Sequence, residues 1–202
     1  MSGTQTGEFR RGWPVLTAAF LGVMCGASPI PFNVLGTLFE PLQAEFGWNR
    51  GQVSAGITIF GITAALLAPV FGSMADRFGV RRVALWSLVA FALSFAALAL
   101  TPSSIYGFWA LWFVVGLVGI GSTPVTWSRA ISLWFVKNRG LALGIMLIGT
   151  SAAALIVPNL AVWAISNFGW RQMFPIVALL PLGGPGGRSV ALVWSASLTR
   201  AE

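Results

Sequence analysis

Long runs without a single charged side chain, separated by short basic connectors, constrain this chain more than any other feature. Gly12 to Phe39 carries no charge over 28 residues, Gly51 to Ala75 none over 25, and Gly140 to Gly169 none over 30. Val83 to Ser128 is uncharged for 46 residues. A helix needs about 20 apolar residues to cross the hydrocarbon of a bilayer. Three of the runs suit one crossing each. The fourth is too long for one and is divided by Thr101-Pro102-Ser103-Ser104-Ile105-Tyr106-Gly107, a turn-rich polar break. Only 8% of the residues are charged, where a soluble domain carries about 25%. The expected class is an all-α integral membrane protein.

The expected spans are 13–39, 51–75, 83–101, 107–135 and 140–166, with a sixth over 174–194. Residues 1–12 form an N-terminal tail and 13–182 the helical domain. The sixth span starts well from Phe174 to Leu182, then meets Gly183-Gly184-Pro185-Gly186-Gly187-Arg188, which breaks a helix and inserts a charge. Residues 183–202 are therefore read as an atypical, out-of-frame or truncated tail. The run after Arg10-Arg11 is longer than the apolar stretch of about 7–15 residues in a signal peptide, so it is read as an uncleaved first helix.

Lys and Arg set the expected orientation. With the N-terminus in the cytoplasm, Arg10, Arg11, Arg77, Arg81, Arg82, Lys137 and Arg139 fall inside, leaving Arg50 and Arg171 outside. Trp13, Trp48, Trp134 and Trp170 fall at expected interfaces, where amphipathic rings settle. The net charge of +7 thus marks membrane loops and no nucleic-acid surface. There is no histidine, and Cys25 is the one cysteine. With no metal set, nucleophile–base pair or phosphate loop in view, neither an enzyme nor a cofactor is expected. Pro29 and Pro31 remove helix hydrogen bonds and should kink or break the first span. Asn33, Gly36 and Thr37 form a small polar face beside them.

The connector after the second span reads Gly72-Ser73-Met74-Ala75-Asp76-Arg77-Phe78-Gly79-Val80-Arg81-Arg82. Gly72 permits close packing and Gly79 a tight turn. Asp76 is a lone acid among arginines, and as a carboxylate at a helix N-terminus it would be favoured by the helix dipole. The stretch resembles the signature loop of the major facilitator superfamily, G-x-x-x-D-(R/K)-x-G-x-(R/K)-(R/K), matching at Gly72, Asp76, Arg77, Gly79, Arg81 and Arg82. Trp134-Phe135, Arg139-Gly140, Ala142 and Gly144 resemble the W-F-x-x-x-R-G-x-A-x-G junction of its monocarboxylate and oxalate–formate branch. The fifth span lacks a Gly-Pro pair, so the resemblance lends antiport no support.

The resemblance implies a six-helix half of a twelve-helix secondary transporter, built from two inverted three-helix repeats with a degenerate sixth helix. It moves a small organic solute, a carboxylate being one candidate, by alternating access. The signature loop would latch onto the second half in the outward-facing state. Expected partners are the bilayer, the solute, and a missing C-terminal half or a second copy. The alternative is a non-transporting remnant that pairs with another transporter half.

Arg129 is the one charge expected inside the first five spans, five to seven residues before the cytoplasmic end of the fourth and so roughly 7–10 Å deep at 1.5 Å per residue. Such a charge costs about 2.5–3.5 kcal/mol near the bilayer centre on insertion scales. Ser122, Thr126, Arg129 and Ser132 recur at helical spacing, so one polar face is expected, ending in a cation that either binds an organic anion or snorkels to the interface. The candidate solute-binding residues are Arg129, Thr126, Ser122 and Asn33.

Overall fold

The computed structural model describes residues 5–183. Eight α-helices follow one another in that range: α1 (Gln5–Met24), α2 (Pro29–Phe46), α3 (Arg50–Phe78), α4 (Val80–Ala97), α5 (Ile105–Gly119), α6 (Pro124–Trp134), α7 (Arg139–Phe168) and α8 (Trp170–Gly183). They make five stretches long and apolar enough to cross a membrane: Gly12–Phe46, Arg50–Phe78, Arg82–Leu100, Ile105–Trp134 and Arg139–Phe168. Helix α8 starts a sixth at Trp170, four residues before the expected start. The expected continuation over 184–194, and the tail to residue 202, lie outside the described residues.

Two spans are each made of two helices. The first is interrupted between Met24 and Pro29, just before the prolines that the sequence marks as breakers. It then runs past Phe39 to Phe46, because Glu40 and Glu45 do not stop a helix; Gly47 does, at φ 71°. The fourth is interrupted by a 3-10 turn over Ile120–Ser122 and by extended Thr123 before Pro124. An unbroken fourth span over 107–135 is therefore corrected. Thr123 holds the extended conformation favoured before proline, and Pro124 starts a new helix in the first-turn position where its missing N–H costs nothing.

The packing respects an exchange of the first three spans with the last three. Span 2 lies along span 4 and span 5 along span 1, while spans 3 and 6 pair with each other. Spans 1 and 4 meet at their interruptions. The Ala27 N–H there donates to the Ser122 hydroxyl over 3.1 Å, and that hydroxyl donates to the Gly119 carbonyl over 2.8 Å. Two polar bonds thus replace helix bonds that the breaks remove.

The interruptions also divide the core. Towards one end, Leu38, Leu42, Phe108, Trp112 and Phe174 form one buried cluster. Towards the other, Val15, Leu16, Trp127, Ile131 and Phe135 form a second. Each end is closed by a carboxylate–guanidinium pair. At the end of the first cluster, Glu45 accepts from Arg171 Nη2 at 2.8 Å and from Trp170 Nε1 at 2.6 Å. Arg171 Nη1 also donates to the carbonyls of Ala99 and Thr101. One arginine so ties the ends of spans 1, 3 and 6. The pair at the other end belongs to the candidate site.

Candidate functional site

Asp76 lies in the last turn of α3, because no breaker interrupts that helix before Gly79. The expected position at a helix N-terminus is thus corrected: the dipole there disfavours its charge. A cation offsets this, and it comes from another span. Arg129 Nη1 donates to Asp76 Oδ1 at 2.8 Å and to the Gly72 carbonyl at 3.2 Å. A Cβ on Gly72 would stand 3.4 Å from Nη2, in ordinary contact, so the guanidinium lies directly over this glycine. Gly79, at φ 87°, turns the chain into α4 in a conformation that favours glycine. Arg77 lies over the Phe78 ring, 5.5 Å from its centroid, and Arg82 is exposed. The Arg81 side chain lies outside the described residues.

Beside this pair a cavity of about 410 Å³ opens between spans 1, 2 and 4. Its walls include Ser28 from the first interruption, Thr123 and Thr126 from the second, Ala68 and Gly72 from α3, and Arg129. Thr126 is 7% exposed. Among the described residues its hydroxyl has no hydrogen-bond partner, although its N–H donates to the Thr123 carbonyl. Thr123 does not cap its own helix with its side chain, and neither does Ser28. Arg129 Nη2 and Nε make no bond among the described residues beyond those of Nη1.

Thr126 and Arg129 therefore share one wall, as their spacing predicts. Ser122 does not join them. It precedes the interruption, so helical spacing fails across it, and it is fully buried bonding Ala27 and Gly119. Asn33 is half-buried and donates to the Pro29 carbonyl at 2.7 Å, away from this cavity. Ser132 donates to the Ser128 carbonyl. Sequence reasoning missed Ser28 and Thr123. The signal for the second is present: a threonine before proline after Gly-Ser is a helix start.

Chemically, the arrangement offers neutral hydroxyl donors, one helix N-terminus and a cation half-engaged by a carboxylate, with an alanine-rich wall. It can receive a small polar or anionic molecule. Its described walls hold no nucleophile with an adjacent base.

A family model described as Major Facilitator Superfamily matches residues 10–197. An uncharacterized MFS-type transporter, YcxA of Bacillus subtilis, is 30% identical over 69% of this chain and 34% of its own length. The cis,cis-muconate transport protein of Acinetobacter baylyi is 30% identical over 81% of this chain and 39% of its own length. The hexuronate transporter of Escherichia coli K12 is 28% identical over 83% of this chain and 38% of its own length. The chain spans between 34% and 39% of the length of these curated relatives.

Proposed function

The chain belongs to the Major Facilitator Superfamily, and from that premise we propose that it acts as the N-terminal half of a secondary transporter moving a small organic carboxylate by alternating access. The observation that carries this reading is the cavity at the two interrupted spans, with Arg129 on its wall. Interrupted helices border solute sites because they free backbone polar groups inside the membrane. An arginine within a span is a functional candidate by default. The named solutes of the muconate and hexuronate relatives carry carboxylates, which agrees with that cation.

Asp76 holds Arg129 across the ends of spans 2 and 4, so the signature loop and the solute site share one guanidinium. Opening and closing of the second half over the loop would then reach the site directly. Spans 2 and 5 are the least buried of the five long spans, which supports them as the faces that the second half covers. The same exposed faces support a second reading, a non-transporting chain that pairs with another transporter half or with a second copy. Uptake by the reconstituted chain alone, or with a separately expressed second half, separates the two.

The test of the first reading is carboxylate uptake into proteoliposomes. Arg129→Ala should abolish the affinity for a carboxylate solute, and Arg129→Lys should retain part of it, because a lysine keeps the charge but loses the planar fork. Unchanged uptake and affinity in both variants would remove the idea.

The membrane proposed is the cell membrane, with the N-terminus cytoplasmic. In a Cys25→Ser background, single cysteines at Gly79, in the loop beside Ser73's span, and at Lys137 should react with an impermeant maleimide only after the inside is exposed. One at Ser103 should react from outside. Gly79 and Lys137 on opposite sides would overturn the topology.

A further inference from the structure

The cavity beside the interrupted spans is lined by a polar group that the fold leaves unused. Thr126 is 7% exposed, and its hydroxyl bonds to no described residue. A hydroxyl that lines a cavity without a protein partner is free to bond a molecule that enters it. The hydroxyl lies on the cavity wall, within the first turn of α6. In that turn the Thr126 N–H donates to the Thr123 carbonyl, which leaves the Val125 N–H as the open backbone donor. Thr123 stands at the capping position without capping, Pro124 has no N–H, and the Val125 N–H is among the donors that an α-helix leaves without an internal acceptor. A helix N-terminus so exposed carries partial positive charge and favours an anion.

We infer that the first turn of α6 is a carboxylate subsite: the Thr126 hydroxyl and the open N-terminus of the helix receive the anionic head, with Ser28 and Thr123 beside it. The site is framed by both interruptions. Ser28 enters from the break in span 1, and Thr123 and Thr126 from the break in span 4. Arg129, about one turn further along α6, supplies charge from the side of the signature loop through its unengaged Nη2 and Nε. Since Asp76 already offsets part of that charge, the site fits the single charge of a carboxylate better than the double charge of a phosphate monoester. The alanines at 64, 65 and 68 of α3 form an apolar wall for the carbon skeleton. At about 410 Å³ the cavity lies in the 300–1,000 Å³ range of small-molecule sites.

This assignment rests on the transport reading only for the class of ligand. It is tested by equilibrium binding to the full chain in lipid nanodiscs, with glucuronate as the carboxylate probe and glucose as its neutral counterpart. Wild type should bind glucuronate saturably and glucose at least about tenfold more weakly, the loss expected when charge-assisted hydrogen bonds are removed. Thr126→Val keeps the shape and removes the hydroxyl, and it should weaken glucuronate binding by about tenfold with little effect on glucose. Thr126→Ser, which keeps a hydroxyl, should restore most of the affinity and shows that the loss is not a folding defect.

Equal glucuronate affinity in wild type and Thr126→Val overturns the subsite, as does the absence of saturable glucuronate binding by wild type at millimolar concentration. The two readings fail separately. Uptake that ignores Thr126→Val sinks the subsite and leaves transport standing. Thr126-dependent binding without uptake sinks transport by this chain and leaves the subsite standing.

Discussion

Gly26→Val is expected to abolish the folded bundle. A Cβ on Gly26 would fall inside van der Waals contact with the Ser122 carbonyl oxygen, at the place where spans 1 and 4 cross. That neighbour is backbone, so no rotamer change relieves the overlap. The interruptions must separate, and the Ala27-to-Ser122 bond breaks with them. Overpacking a core costs about 1–3 kcal/mol where side chains can adjust, and more where main chain must move. A folded domain has only about 5–15 kcal/mol in hand. The variant should lose its monodisperse peak in detergent. Gly149→Val should behave alike, since its Cβ would stand 2.6 Å from the Phe20 carbonyl oxygen. Gly140→Val and Gly144→Val, with no atom within 4 Å of an added Cβ, should remain folded. A stable, monodisperse Gly26→Val chain would refute the close crossing of the two breaks.

The second large effect belongs to Asp76→Asn. The amide keeps the size of the side chain and removes its charge, so Arg129 loses its only ion pair among the described residues. Both side chains are well exposed, at 72% and 42%, so no large loss of stability follows. The effect expected is functional. If the pair biases one conformation of the carrier, its removal changes the balance between states by the amount of that bias. Coupling energies of this kind correspond to about 5–150-fold. Uptake should fall by about tenfold, while equilibrium binding of a carboxylate persists, because the freed guanidinium attracts the anion at least as well. Exchanging the two residues, Asp76→Arg with Arg129→Asp, should recover part of the stability of the pair but not carboxylate binding. Unchanged uptake in Asp76→Asn would remove the latch.

Much of the architecture is legible in the sequence because the bilayer imposes a coarse rule. Charge-free runs of adequate length must be helices, since lipid offers their backbone no partner. Pro29 and Pro31 mark the first interruption for the same local reason. The second is as local but quieter: Thr123 and Pro124 sit inside a long charge-free run, and helical spacing extends across them on paper. That extension puts Ser122 on the face of Arg129, whereas it holds the crossing together. The partner of Asp76 is also hidden. Arginines at 77, 81 and 82 are near in sequence, but the one that pairs is 53 residues away, on another span. Glu45 and Arg171, 126 residues apart, give no local sign at all. Such pairs depend on which helices become neighbours, and hydropathy does not encode that.

The division of the buried side chains into two clusters has a mechanical consequence. Each end of the bundle is a cluster of large side chains with its own acid–arginine pair at its rim. Between them, spans 1 and 4 meet at Gly26, Ala27, Gly119 and Ser122, all small residues. Bending is easiest where least material must be displaced. A tilt of one end relative to the other would therefore bend spans 1 and 4 at this waist as four short levers, with the unbroken spans 2 and 5 bracing them on either side.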